Sequence, residues 1–307
     1  MAIKKGLDPI TFELIRNSLS TIIDEMALAM VRTAYSPLIR DLFDFATGLC
    51  DVNGNIIAEG LVNPVHSGVF PIFVKTLLKK EEKIHPADVF ICNDPYEGAS
   101  HIPDVYILRP IFVDGTLIAF TGAIAHQLDF GGKTPGSNAC DNTSIYQEGL
   151  RIPPLKYYEK GKRNLAIYRL IEKNTRISDK VLGDLESQVA ATALGERELV
   201  KLIKKYGGWD AVRPYVEELL DYSERLTRAS IQQMPDGEYD FEDWMDDDGF
   251  TPNPVRLSVK IKVSSDTLVF DFTGSSPTVQ GSINLPLSST IAIVNAALRY
   301  FLDSSIP

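Results

Sequence analysis

All four histidines of the chain fall between residues 66 and 126, and two of them open the same pattern, His101-x-x-Asp104 and His126-x-x-Asp129. Imidazole nitrogen beside carboxylate oxygen is a borderline-to-hard donor set, suited to Zn²⁺, Mn²⁺ or Fe²⁺. The competing reading makes these histidines hydrogen-bonded core or turn residues and the aspartates loop caps. One His-x-x-Asp alone would favour that reading. Two of them flanking one hairpin keep a metal site in play, with Asp104, His126 and His101 as its ligands. Asp94 (CNDPYEGASH) and Glu148 (QEGLRIPP) lie in polar, Gly-rich loops, as loop-formers or as groups that support a ligand. His66, in NPVHSGVF, is placed to orient a ligand or touch substrate, and His85 before Pro86 reads as a surface turn.

Hairpin register decides whether these groups can meet. A two-residue Asp114-Gly115 turn pairs Val113 with Thr116 and sets Asp104 opposite Ala125, with His126 on the other face. A three-residue loop over 113–115, with Gly115 left-handed in a G1 bulge, instead sets Ile102 opposite His126 and makes Asp104 its diagonal neighbour. His101 precedes the strand, and Pro103 frees that edge, so His101 can fold back onto the same ion. An Asp104 to His126 separation beyond direct coordination would sink the site.

Two other stretches invite chemistry and fail on spacing. Gly132-Lys133-Thr134 matches the end of a P-loop, but the position of its first glycine is Gln127. Those glycines read as a close backbone turn beside the metal. The acidic run Asp243 to Asp248 lacks the DxDxDG spacing of a Ca²⁺ loop and reads as a solvated loop.

The elements that must position these residues are α+β in class: a long amino-terminal helix, a mixed β-hairpin core carrying the metal site, a helical middle and a second β segment that looks incomplete. Asp8 as cap, Pro9 at the first helical position, and Ile10, Leu14, Leu19, Ile22, Ile23, Met26, Met30 and Val31 at helical spacing predict a helix up to Ser36-Pro37. Short apolar runs around Asn53-Gly54 and Asp114-Gly115 predict hairpins from about 45 to 152. Helical periodicity runs from about Leu165 to Met234, broken at Gly207-Gly208. VRLSVKIKV and TLVFDF then alternate as strands, and Ile291, Val294, Leu298 and Phe301 mark a last helix. The domain reading is 1–155 for the metal-site core, 156–233 for the helical segment and 234–307 for a truncated β-rich segment with its helix.

With 44% hydrophobic and 23% charged residues, and 21 Gly and 18 Pro in 307, the chain is neither disordered nor collagenous. Thirty-one basic against 41 acidic residues give a formal charge of −10, a field that repels polyphosphate and argues against nucleic acid. No apolar stretch of the kind a secretory signal needs follows the first residues, so the expected location is cytoplasmic. Cys50, Cys92 and Cys140 fit neither a disulfide framework nor a CxxC knuckle and are expected to be three reduced core thiols. Leu117–Ala125 is the best spanning candidate and is far too short, so no membrane anchor is expected.

The strings RDLFDFATGLCDVNGNIIAEG (40–60), HSGVFP (66–71), FICNDPYEGASHIPDV (90–105), GAIAHQLDFGG (122–132), QEGLRIPP (147–154), LGDLESQVAATALGERELV (182–200), MPDGEYDFEDWMDDDG (234–249) and DFTGSSPTVQGSINLP (271–286) resemble the hydantoinase B/oxoprolinase family. That family includes the B components of ATP-dependent N-methylhydantoinases, the corresponding part of 5-oxoprolinase, and metal subunits of acetone and acetophenone carboxylases. The resemblance implies a metal on His101, Asp104 and His126, with Asp104 and His126 at the chemistry; it gives Asp129 no such role, and Asp129 is left as a supporting carboxylate. It also implies a hetero-oligomer in which a hydantoinase A type partner, not this chain, binds ATP and phosphorylates a substrate oxygen. A metal here would then lower the pKa of bound water toward ~7 to open a cyclic amide, or act as a Lewis acid for an enolate meeting CO₂. The favoured expectation is the metal-binding catalytic subunit of a cyclic amide hydrolase acting on hydantoin, 5-oxoproline or a related lactam. The alternatives are the metal subunit of a ketone carboxylase and a non-catalytic scaffold for the ATPase. Family subunits are longer than this chain, so an amino-terminal fragment or split subunit ending at 303–307 is expected.

Overall fold

The computed structural model describes residues 3–60, 66, 68–81, 83–302 and 306, so the expected terminus at 303–307 falls largely outside the described residues. Helix α1 (Pro9–Thr33) starts where Asp8 accepts a hydrogen bond from the Thr11 amide at 2.8 Å and Pro9 takes the first position. Its buried stripe is Phe12, Ile15, Leu19, Ile22, Ile23, Met26 and Met30. Ile10 and Leu14, expected on that stripe, are 71% and 51% exposed, because the core is met along Phe12 and Ile15 instead. The helix stops before Ser36-Pro37, where Tyr35 and Ser36 give their amides to Asp184 at 2.7 and 3.1 Å.

A short α2 (Pro37–Arg40) leads into β1 (Phe45–Asp51), and β2 (Ile56–Glu59) returns across the Asn53-Gly54 turn. Helix α3 (Phe70–Lys80) follows, then β3 (Val89–Cys92), β4 (Asp104–Val113), β5 (Thr116–His126), β6 (Leu155–Glu159) and β7 (Lys162–Arg163). These strands form one sheet in the order β2-β1-β5-β4-β3-β6-β7, antiparallel throughout. Helices α4 (Leu165–Asn174), α5 (Ser178–Lys205) and α6 (Trp209–Ile231) join α1 on one face, where Ile111, Ala119 and Ala123 of the sheet meet Ala191, Leu199 and Ile203 of α5. Helix α3 covers the other face, with Phe70, Phe73, Val74 and Leu77 against Tyr106, Leu108, Phe120 and Ile124. Residues 1–155 and 156–233 therefore share a core. The single helix break expected at Gly207-Gly208 has a companion at Thr175–Ile177, where no glycine or proline marks it.

Beyond α6 lies a three-stranded antiparallel sheet, β10-β9-β8, built from β8 (Gly237–Met245), β9 (Val255–Ser264) and β10 (Thr267–Asp271). The acidic run expected as a loop begins inside β8, where Asp243 pairs with Leu257. Acidic residues are poor strand formers, and pairing with β9 overrides that propensity. Helix α7 (Leu287–Phe301) packs through Ser288, Ser289, Ala292 and Ala296, while Ile291 and Phe301 of the expected apolar face are 40% and 80% exposed. Among the described residues no helix is long and apolar enough to cross a membrane. Cys50 and Cys92 are buried, and burial raises the Cys92 thiol to about 12; Cys140, expected in the core, is exposed because it sits in the polar loop after Asp129.

Candidate metal centre

The β4–β5 hairpin solves the register problem in a way that neither loop length anticipated. Its turn has two residues, Asp114 at φ +50° and Gly115 at φ +80°, the geometry of a type I′ turn, and Val113 pairs with Thr116. Phe112 pairs with Leu117, but Ile111 pairs with Ala119, which leaves Ile118 as the extra residue of a β-bulge. One inserted residue shifts everything beyond it, and Asp104 lands directly opposite His126. Both then share the face of Tyr106 and Ile124, the side covered by α3.

His101 is folded back by a turn in which the Asp104 amide donates to the His101 carbonyl at 3.0 Å. Its Nε2 lies 3.0 Å from Asp104 Oδ1, and His126 Nδ1 lies 3.1 Å from the same oxygen and 3.2 Å from His101 Nε2. These three donor atoms lie within 4.8 Å of one another. Ligands about 2.1 Å from a tetrahedral ion stand about 3.4 Å apart, so two imidazole nitrogens and a carboxylate oxygen on this triangle fit a divalent cation. Asp104 is 1% exposed, whereas the His101 side chain is 38% exposed, so the cluster opens to solvent on the His101 side.

The remaining sequence candidates divide into two groups. His66 lies against the cluster, with Nδ1 3.4 Å from Asp104 Oδ2 and Nε2 2.9 Å from Asp44 Oδ1. Glu148 is half-buried close enough to His101 for their charges to interact. The carboxylates of Asp94 and Asp129 are engaged elsewhere. Asp94 takes Arg151 Nε at 2.6 Å and the Tyr96 amide at 3.0 Å. Asp129 takes Arg176 Nη1 at 2.6 Å and its amide at 2.7 Å, and the same guanidinium donates to the carbonyls of Gly131, Gly132 and Thr134. A phosphate cradle presents amides, so this loop of carbonyls turned onto an arginine is a brace for the chain.

Three residues at the cluster are not marked by the sequence patterns. Ser100 donates its hydroxyl to Asp104 Oδ2, and Tyr106 stands 3.2 Å behind it. Tyr106 carried a usable signal, since two residues past Asp104 on a strand is the same face. Asp44 carried none, because it reaches His126 only through the β1–β5 pairing, where the His126 amide donates to the Asp44 carbonyl at 3.1 Å.

Burial opposes the charge on Asp104, but His101, then hydrogen bonds from His101 and His126 and the charge of His66, hold its pKa well below the usual carboxylate range. Burial likewise opposes charge on His101 and His66, yet Asp104 raises the former, and Asp44 together with Asp104 raises the latter. Burial pushes Glu148 up against the pull of His101. The lowered carboxylate contributes stability above ~3.9 that is lost as pH falls, and the raised imidazoles contribute stability below ~6.5 that is lost as pH rises through their folded values. In chelator, the stability advantage of the metal-free chain over Asp104→Asn is therefore expected to be largest between about pH 4 and 6.5 and to shrink toward pH 8. Urea unfolding of both proteins across that range checks it; an advantage that grew toward pH 8 would contradict these charge assignments.

Comparison with known proteins agrees along nearly the whole chain. Residues 8–307 match the family model Hydantoinase B/oxoprolinase. A protein of Pseudomonas sp. (strain NS671) assigned as the B component of a D-/L-hydantoinase is 36% identical over 98% of this chain and 53% of its own length. The beta chain of the caprolactamase of Pseudomonas jessenii is 32% identical over 98% of this chain and 52% of its own length. The crystal structure of the ATP-dependent caprolactamase of the same organism superposes with a TM-score of 0.90 at 31% identity, over 96% of this chain and 51% of that one. The chain thus spans about half the length of these relatives. With the same fold and a family match over residues 8–307, this chain belongs to the hydantoinase B/oxoprolinase family.

Proposed function

We propose that the chain is the metal-binding catalytic subunit of an ATP-dependent cyclic amide hydrolase, working in a hetero-oligomer with a hydantoinase A type ATPase in the cytoplasm. The observation that carries this reading is the triangle of His101 Nε2, Asp104 Oδ1 and His126 Nδ1, with all edges between 3.0 and 3.2 Å. The substrate class follows from relatives named for hydantoin and caprolactam, both rings closed by an amide.

An unstrained ring amide is a poor electrophile, which is the chemical reason for ATP: a phosphorylated amide oxygen becomes a good leaving group. That step is assigned here to the partner, a reading supported by relatives named as a B component or a beta chain; the P-loop-like stretch of this chain turns its carbonyls onto Arg176. His101, Asp104 and His126 would hold a divalent Zn, Mn or Fe ion, which supplies Lewis acidity and a water acidic enough to ionise near neutral pH. His126 and Asp104 are rigid because they sit on paired strands. Glu148, half-buried and within range of the His101 charge, is assigned here as the carboxyl that would hold or release a proton for the site.

Co-purification with the A-type partner, followed by ATP hydrolysis assays on 5-oxoproline, hydantoins, lactams, and ketones with bicarbonate, tests the proposal. ATP hydrolysis coupled to ring opening is expected. Turnover confined to ketones and bicarbonate would replace the reading with a carboxylase, and no metal-dependent turnover with any of them would leave the chain a scaffold.

A further inference from the structure

Asp104 divides its two oxygens. Oδ1 faces His101 Nε2 and His126 Nδ1 at 3.0 and 3.1 Å. Oδ2 points the other way, accepts the Ser100 hydroxyl and lies 3.4 Å from His66 Nδ1. A serine has one hydroxyl proton, so with that proton committed to the carboxylate Ser100 can only accept from behind, where Tyr106 stands at 3.2 Å. Tyr106 is fully buried and fixed by edge-on contacts with Phe70 and Phe73 at 5.7 and 6.5 Å, and its single hydroxyl proton is shared between Ser100 Oγ at 3.2 Å and the His66 carbonyl at 3.4 Å. The Tyr106–Ser100–Asp104 chain therefore runs from a rigid aromatic anchor to the far oxygen of the carboxylate.

We infer that Ser100, anchored by Tyr106, is the positioning residue that makes Asp104 a one-oxygen ligand. A carboxylate free to swing presents both oxygens to a cation and fills two coordination positions. With Oδ2 held, only Oδ1 turns toward the ion, and a position stays open for water or substrate on the exposed His101 side. This inference rests on the metal reading of the site.

Zn²⁺ competition titrations and Co²⁺ visible absorption on the whole chain test it, with the wild type, Ser100→Ala, Ser100→Thr and Tyr106→Phe. Wild type is expected to bind one ion; Ser100→Ala is expected to bind Zn²⁺ about 10–100-fold more weakly. Its Co²⁺ bands should lose intensity as the freed carboxylate raises the coordination number. Ser100→Thr keeps the hydroxyl and should stay close to the wild-type affinity and spectrum. Tyr106→Phe, which removes one hydroxyl from an otherwise unchanged core, should fall between them. A wild type that binds while Ser100→Ala matches it in affinity and spectrum overturns the role of Ser100 alone. A wild type that binds neither ion overturns the metal reading, and this inference with it.

Discussion

Asp104→Ala is expected to abolish stoichiometric metal binding and to lower ATP-coupled turnover of the assembled enzyme by about three orders of magnitude or more, a loss of roughly 4 kcal/mol or more in transition-state stabilisation. The carboxylate is the hub of the cluster, 1% exposed and within 3.0–3.4 Å of His101, His126 and His66. Without it the imidazoles face one another with no carboxylate between them, and the site loses both its buried charge and its geometry. His101→Ala and His126→Ala are expected to do the same to turnover. In chelator all three variants should keep cooperative unfolding, because the strands that carry the site are held chiefly by Val105, Ile107 and Ile124, to which the polar cluster adds a smaller, pH-dependent part. Metal content, turnover and melting measured on the same preparations separate the two effects. Retained turnover in any of the three would count against the ligand assignment.

Gly98→Ala is expected to cost about 2–5 kcal/mol, the sum of a left-handed backbone penalty and a steric clash in a packed site. Gly98 has φ +113°, and a Cβ there would stand 2.5 Å from Phe73 Cα, which is backbone of α3 and cannot rotate away. The loop it belongs to is pinned from the other side as well, by Ser288 of α7 donating to the Ala99 carbonyl at 2.6 Å. A displaced loop carries Ser100 and His101 with it, so metal affinity should fall together with stability. Gly115→Ala is the control: φ is +80°, nothing lies within 4 Å of its added Cβ, and only the backbone penalty of about 1–2 kcal/mol is expected. Denaturant unfolding of both variants checks the pair, and equal destabilisation would show that the close approach to α3 is not what fixes the loop.

Much of this arrangement is legible in the residues themselves. Asp8 and Pro9 announce α1, Asn53-Gly54 and Asp114-Gly115 announce their turns, and two His-x-x-Asp patterns point to the cluster. The pairing that joins them is not legible, because a bulge is one residue of disagreement within a long ladder and Ile118 looks like any other apolar strand residue. The same holds for β8, whose glutamates and aspartates describe a loop until β9 pairs with it. Asp44 could not be found because its place beside His126 depends on β1 and β5, far apart in the chain, coming together. Helix α7 differs for another reason: Ile291 and Phe301 are exposed, Val294 and Leu298 are only partly buried, and the small residues Ser288, Ala292 and Ala296 make the contact.

X-ray absorption at the metal edge of the purified chain tests the central claim most directly. Stoichiometric metal with a first shell of two imidazole nitrogens and one carboxylate oxygen at about 2.0–2.2 Å, lost in Asp104→Ala, is the predicted result. Less than stoichiometric metal, or a first shell unchanged when Asp104 is replaced, would contradict it.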